Sequence, residues 1–247
     1  MINGFITVRT GSSRLPNKCL LKFGKSDSVL EHIIERTKRY NINPIICTST
    51  NKNDDIIEEI SSKKNIQIFR GSENNKIKRW LECALKFNIS SFHTIDADDL
   101  FFDGDRMHSS MKLLDSKKLD YIKPSNYSDS GAATEGYSIK TSFLEKINSG
   151  IKDDESTEMA VYFFDNYRDK KSIIIEDPEY KLNNEIPRLT LDFWEDYIML
   201  SCLQIKLNYE IISREYIEKN YLTKDLINLN VSFNKAWKEN QISMNPF

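Results

Sequence analysis

Three cations, one glycine and two serines stand together in Val8-Arg9-Thr10-Gly11-Ser12-Ser13-Arg14-Leu15-Pro16-Asn17-Lys18. Gly11, Ser12 and Ser13 are small enough to turn their backbone N–H groups toward an anion, and Arg9, Arg14 and Lys18 can neutralise several phosphate charges. The spacing is neither Gly-x-x-x-x-Gly-Lys-Ser/Thr nor Gly-x-Gly-x-x-Gly, which excludes the two commonest phosphate loops. By composition alone the stretch also suits a solvated basic loop. Its position directly after an apolar strand favours a polyphosphate cradle.

A second concentration is acidic: Asp96-Ala97-Asp98-Asp99. Carboxylates clustered at a strand end can hold Mg2+, which prefers oxygen ligands and bridges substrate phosphates. Helix capping near Asp103 is the plainer use. Asp192 closes another apolar run and supplies a second carboxylate. Two acids from different strands beside a cationic loop form a metal-plus-phosphate combination more specific than either part. Asp98 and Asp192 are therefore the candidate metal ligands, with Asp96 a possible third. Glu135, between Gly131 and Gly136 in a long loop, could contact a polar acceptor. His32, His93 and His108 lack metal-ligand spacing; His32 reads as a helix-surface residue and His93 as part of the sheet. No Gly-x-Ser-x-Gly elbow or nucleophile–His–acid set is present.

These residues must be held by alternating strands and helices. Ile2–Val8 reads as a buried first strand. Ser28 with Glu31 three residues on caps a helix whose stripe is Val29, Leu30, Ile33 and Ile34. Strands follow at Pro44–Cys47, Ile66–Phe69 and Phe92–Ile95, with helices between them carrying Ile56, Ile57 and Ile60, then Ile77, Trp80, Leu81, Ala84 and Leu85. That alternation implies βαβ units and a mostly parallel sheet, with ligands at the carboxyl ends of its strands. Further on, Asp120–Lys123 reads as a strand, Pro124–Gly136 as a functional loop and Glu155–Phe164 as a helix. Ser172–Ile175 and Pro187–Asp192 read as strands, Trp194–Leu203 as a helix, and the chain from about Ser213 as short helices packing back. The fold class is α/β with a small mixed α+β extension. Residues 1–247 form one domain, in which about 120–185 make an acceptor-side and dimerisation extension.

The 247 residues carry 35 Lys and Arg against 37 Asp and Glu, a net charge of -2. Such balance argues against a general nucleic-acid or anionic-membrane binder, which needs a basic excess. No apolar run approaches the roughly 18 residues that span a bilayer, and Met1–Ile6 lacks the pattern of a signal peptide. Cys19, Cys47, Cys83 and Cys202 are scattered without a Cys-x-x-Cys pair, so neither a disulfide framework nor a zinc site is indicated. A cytoplasmic chain is expected.

The run Arg9–Lys18 resembles the opening motif of the cytidylyltransferases that make CMP-activated acidic sugars. These are the acylneuraminate and 3-deoxy-manno-octulosonate enzymes and, most similar, the spore-coat polysaccharide branch. The resemblance continues through Phe69-Arg70-Gly71-Ser72, Arg79 and the Gly131…Glu135 pair. It ends at Arg188-Leu189-Thr190-Leu191-Asp192 with Glu195-Asp196, spanning roughly residues 2–205. It implies a Rossmann-like nucleotidyltransferase fold (the nucleotide-diphospho-sugar transferase fold), a homodimer, and transfer of CMP from CTP to a small anionic acceptor with release of pyrophosphate. Carried over, Arg9, Gly11, Ser12, Ser13, Arg14 and Lys18 hold the triphosphate. Asp98 and Asp192 bind Mg2+, Thr48 and Ser49 lie near the base or ribose, and Glu135 and Arg188 face the acceptor. Arg14, Lys18, Asp98 and Asp192 are the expected catalytic set.

Departures cluster on the acceptor side. Thr94 stands where the family usually has Arg, Ala97 replaces a Gly and Leu100 a Pro. Asp96 is added, Ala133 replaces a loop acid, and no His-Val-Thr stretch is recognisable around Ser156–Ala160. Two rival functions remain. Asp96-Ala97-Asp98 is also the Asp-x-Asp pattern of nucleotide-sugar glycosyltransferases, and a nucleotide-binding relative without turnover would tolerate the altered acceptor residues. The Arg9–Lys18 cations suit a triphosphate better than a diphosphate, and uridylyl or guanylyl transfer differs only in base contacts.

Overall fold

A computed structural model describes residues 1–153, 155–181 and 186–246. Its centre is a seven-stranded sheet built from β1 (Ile2–Thr7), β2 (Ile42–Ser49), β3 (Gln67–Gly71), β4 (Ser91–Asp96), β5 (Tyr121–Lys123), β6 (Ser138–Lys140) and β7 (Ser172–Ile174). The order is β3-β2-β1-β4-β6-β5-β7. Pairs β1/β2, β1/β4, β2/β3 and β5/β7 are parallel, whereas β6 runs antiparallel to β4 and β5. The sheet is thus mostly parallel.

Neighbouring strand residues face opposite layers, and both layers are apolar, as a parallel sheet requires. Phe5, Ile45 and Phe92 pack with α3 (Lys76–Lys86) through Ile77, Trp80 and Ala84. Ile6, Ile46 and Ile95 pack with α1 (Val29–Arg39) through Leu30, Ile33 and Ile34. Ser28 caps α1 by accepting from the Glu31 N–H at 3.1 Å, as its spacing predicted. Asp103 caps α4 (Gly104–Ser116). Helix α2 (Asp55–Lys64) completes the second βαβ unit.

A separate apolar cluster gathers Leu15, Leu100, Phe101, Leu189 and Leu191 with α7 (Trp194–Lys206), α8 (Arg214–Asn220) and α9 (Lys224–Ile227). Helix α10 (Phe233–Ser243) differs from all of these: none of its residues is buried. Among the described residues no helix is long and apolar enough to cross a membrane.

Three sequence expectations need correction. Pro187–Asp192 is not a sheet strand. Leu189 N–H donates to Gly131 O at 3.0 Å and Leu191 N–H to Asp98 O at 2.9 Å, so its backbone bonds go to two different loops and form no ladder. The helix expected at Glu155–Phe164 is α6, Ala160–Asn166. Thr157 delays its start, because its N–H bonds Asn74 O and its hydroxyl accepts from Ile77 N–H. Finally, His32 is buried against Phe23 and Phe101, not on the surface. The stretch expected to be an extension, 120–185, adds β5–β7, α5 (Thr141–Asn148) and α6 to the central sheet, with 154 and 182–185 outside the described residues.

Two buried histidines give this fold a pH dependence. His32 Nε2 bonds Leu100 O, and His93 uses both ring nitrogens, on Ser138 Oγ and on the Gly136 N–H it accepts. The backbone closes tightly there, since a Cβ at Gly136 would lie 2.1 Å from Thr94 O. Burial, with Arg36 nearby, pushes His32 down to about 3, and burial does the same for His93. Both are neutral when folded but take a proton near pH 6.5 when unfolded, so stability falls as pH drops below about 6.5 and continues to fall toward 3. Each should cost about 1.4 kcal/mol by about pH 5.5. Urea midpoints between about pH 7.5 and 5 should therefore decline in the native protein and flatten in a His32→Gln/His93→Gln variant. An undiminished slope in that variant would place the acid sensitivity elsewhere.

Candidate active site

Past the carboxyl end of β1 the chain turns into residues 9–18. Thr10 is the pivot: its carbonyl accepts from Ser12 and Asn17 N–H, and its own N–H and hydroxyl both donate to Asp54 Oδ1 at 2.8 Å. Leu15 is buried in the helical cluster beneath, anchoring the loop's middle. Among the described residues the N–H groups of Gly11, Ser13 and Arg14 meet no backbone or side-chain acceptor. A Cβ at Gly11 would touch nothing within 4 Å, so its absence keeps open the space beside those donors. Unspent amides beside Arg14 and Lys18 make an anion cradle.

The cradle's cations meet the acids. Lys18 Nζ lies 2.6 Å from Asp98 Oδ2, 2.9 Å from Asp192 Oδ1 and 2.7 Å from Leu191 O. Arg14 Nη2 donates to Asp192 Oδ1 at 2.6 Å. Burial alone would disfavour charge on Asp192, yet Lys18 and Arg14 hold its carboxyl at about 2. Burial likewise opposes charge on Lys18, and Asp98 and Asp192 overcome it and raise its pKa. Asp192 and Lys18 are therefore both ionised at neutral pH.

Behind Asp192 stands a second ion pair. Arg188, wholly buried, donates from Nε and Nη2 to both oxygens of Asp196 at 2.9 and 3.1 Å and from Nη2 to Asp192 Oδ2 at 3.2 Å. Asp196 also accepts from the N–H groups of Asp192 and Phe193, each at 2.9 Å. The guanidinium and the start of α7 thus fix where Asp192 points.

Together with residues of α3 and α10, Arg14, Lys18, Asp98 and Asp192 line a cleft of about 330 Å3 at the carboxyl ends of β1 and β4. Its other charges are Arg9 paired with Glu158 at 2.5 Å, and Lys76 paired with Asp96 at 3.2 Å. Burial disfavours charge on Glu158, but Lys76, Arg9 and Arg79 draw its pKa down. Burial, reinforced by Asp98 and Asp96, pushes Asp99 well above the usual carboxylate range.

Of the residues expected from sequence, the structure brings Arg9, Gly11, Ser12, Ser13, Arg14, Lys18, Asp96, Asp98 and Asp192 into one cleft. Asp96 is paired with Lys76, whereas Asp98 and Asp192 share Lys18. Thr48 and Ser49 do not line the cleft; both are buried, and the Ser49 hydroxyl donates to Asp54 beneath the loop. Glu135 does not line the cleft either; it is buried, with Arg106 on one oxygen and Ser125 N–H on the other at 2.7 Å. Arg188 is spent on Asp192 and Asp196, which makes it a positioning residue. Asp192 reaches the site from an irregular segment, not from a strand. Sequence reasoning missed Asp54, Lys76, Glu158 and the cleft-facing residues of α10, whose partners lie far away in the chain.

Among the described residues no cluster of three or more His, Cys, Asp or Glu side chains is arranged to hold a metal. The pair Asp98 and Asp192 nevertheless fits a small hard cation. Their oxygens already converge on one cationic point, the Lys18 ammonium, and carboxylate oxygen is the donor Mg2+ prefers.

The buried pair makes a stability prediction. Arg188→Met would leave Asp196 uncompensated among backbone groups and should cost about 3–5 kcal/mol, read from urea unfolding. A loss below about 1 kcal/mol, the range of exposed pairs, would show that the pair does not carry this part of the fold.

Comparison with known proteins agrees with the geometry. A family model described as cytidylyltransferase matches residues 4–101. An uncharacterised protein of Methanocaldococcus jannaschii is 30% identical over 254 residues, covering 96% of this chain and 98% of that protein. The spore coat polysaccharide biosynthesis protein SpsF of Bacillus subtilis is 25% identical over 209 residues, covering 81% and 85%. The solved cytidylyltransferase of Leptospira borgpetersenii superposes with a TM-score of 0.73 at 25% identity, covering 96% of this chain and 95% of that one. With a cation-rich loop after the first strand, Asp98 past the end of β4, Asp192 on the irregular segment beside it and the sheet that carries them, the chain belongs to the cytidylyltransferase family and is a nucleotidyltransferase.

Proposed function

We propose that this protein is a Mg2+-dependent cytidylyltransferase. It transfers CMP from CTP to an acidic sugar, a 2-keto-3-deoxy sugar acid or similar anionic acceptor, and releases pyrophosphate, for cell-surface polysaccharide synthesis. The observation that carries the reading is the meeting of Arg14 and Lys18 with Asp98 and Asp192 beside the open amides of Gly11 and Ser13. Support for the polysaccharide context comes from the Bacillus subtilis relative. Homodimeric assembly belongs to the same proposal.

In this reading the amides of residues 11–14, with Arg14 and Lys18, bind the triphosphate and stabilise the charge that builds on the departing pyrophosphate. Phosphoryl-type transfer asks for little else than positioning and charge stabilisation. Asp98 and Asp192 would hold Mg2+, which when bound supplies positive charge at the phosphate. Arg188 and Asp196 keep Asp192 aimed. An acceptor oxygen, oriented in line, attacks the α-phosphorus, and its alignment removes part of the barrier. The Asp-x-Asp glycosyltransferase alternative loses ground, since Asp96 and Asp98 engage different lysines, Lys76 and Lys18.

Pyrophosphate release should appear with CTP, and not with ATP, GTP or UTP, when Mg2+ and a panel of 2-keto-3-deoxy sugar acids are present. Asp98→Asn and Asp192→Asn should each lower kcat at least about a hundredfold, the scale on which single charge-stabilising groups act, with unfolding midpoints close to native. Full activity of either variant at limiting Mg2+ would remove that residue from the metal site.

A further inference from the structure

Helix α10 places Trp237, Asn240 and Gln241 on the cleft, and its C-cap residue Met244 follows on the same side. Their spacing, i, i+3, i+4 and i+7, is one face of a helix, the face that ordinarily packs on a protein core. Here it has no core to meet: no residue of α10 is buried, and these four look into the cleft that holds Lys18 and Asp192. The face is uncharged, whereas the opposite wall is crowded with Arg9, Arg14, Lys18, Lys76 and their carboxylates. Among the described residues the side-chain amides of Asn240 and Gln241 have no hydrogen-bond partner.

The helix is nonetheless held in place at several points. Phe233 packs on Phe193, with ring centroids 4.9 Å apart, and Lys238 pairs with Asp129 at 3.1 Å. The Tyr162 hydroxyl donates to Gln241 O at 3.1 Å. The Arg188 guanidinium lies 5.6 Å from the Trp237 ring centre and so seats the indole. A fixed aromatic plate flanked by two unspent amides is a surface for a ring that carries hydroxyl or amide groups and apolar C–H faces.

From this face we propose, building on the cytidylyltransferase reading, that α10 is the acceptor-selecting wall. Trp237 stacks on the sugar ring, and Asn240 and Gln241 bond its uncharged hydroxyl and amide substituents. The acidic end of the sugar faces the cations across the cleft. Selectivity among sugar acids then lies in the last turns of the chain, and nucleotide binding lies in residues 9–18.

The test is equilibrium binding by calorimetry, using 3-deoxy-manno-octulosonate and N-acetylneuraminate as probes and a non-hydrolysable CTP analogue with Mg2+ as the second ligand. Wild type should bind at least one of the sugars. Trp237→Leu and Asn240→Ala/Gln241→Ala should each weaken that sugar about tenfold or more, the worth of one or two lost contacts. Analogue affinity should stay within about twofold, because these side chains are outside the triphosphate cradle. No residue of α10 is buried, so the variants should unfold at the native midpoint. Equal sugar affinity in wild type and variants, or no binding of either sugar to wild type, overturns the proposal. Failure of the CTP analogue to bind wild type would instead overturn the cytidylyltransferase reading, and the sugar titrations would still judge the wall.

Discussion

Two carboxylates, Asp98 and Asp192, share one ammonium, and much of the molecule is arranged around that fact. Asp192 is nearly inaccessible to water, so its charge must be met by protein groups or be lost. Lys18 and Arg14 meet it from the front and Arg188 from behind. The partners are 174, 178 and 4 residues away along the chain. Hence residues 9–18, the end of β4 and the irregular segment 187–192 have to come together before any one of them is electrostatically satisfied. The apolar cluster does the same by other means, gathering Leu15, Leu100 and Leu191 from those three segments into one core. Burial brings the segments near, and the ion pairs set their register.

That arrangement leaves the site balanced, not strongly charged. Arg14 and Lys18 cancel Asp98 and Asp192 in formal charge, and the Lys76–Asp96 and Arg9–Glu158 pairs each cancel as well. Binding of a highly charged phosphate must therefore exchange partners, not simply add charge. Such exchange is cheapest where the alternative partners are already within reach, as carboxylates and cations are here. The unspent amides of Gly11, Ser13 and Arg14 are the exception. They are held by Thr10 and Asp54 in a loop that has nothing else to give them, so they need no rearrangement to accept an anion.

What the sequence made legible was local. The strand-to-loop transition at residues 8–9, the Ser28–Glu31 cap and the two apolar faces of β1 all follow from neighbours within a few residues. Arg14, Lys18, Asp98 and Asp192 were recognisable by type and position at the ends of apolar runs. Their pairing was not, because no local rule says which lysine meets which acid. Lys18 meets Asp98 and Asp192, whereas Lys76 takes Asp96. The segment 187–192 misleads for a physical reason: Leu189 and Leu191 alternate as in a strand, but their shared face rests on helices and their N–H groups go to loops. His32 misleads in the same way, as a polar residue in a helix whose face is covered by Phe23 and Phe101. Glu135 and Arg188 looked available to a ligand because sequence shows charge and hides the partner that consumes it.

Arg188 joins the two halves of the cleft. One guanidinium bonds Asp192, bonds Asp196 twice, and lies against the Trp237 ring and against Phe193, whose ring centre is 5.5 Å away. It is fully buried and cannot follow one partner without leaving another. One group thus contributes both to the position of α10 and to the aim of the Asp192 carboxylate. A helix without a buried residue is a weak element by packing alone, and its orientation must be borrowed from something rigid. Part of it is borrowed here from the ion pair that also holds the carboxylate, with Phe193, Asp129 and Tyr162 supplying the rest, so a ligand seated on Trp237 and a charge seated at Asp192 share one point of reference.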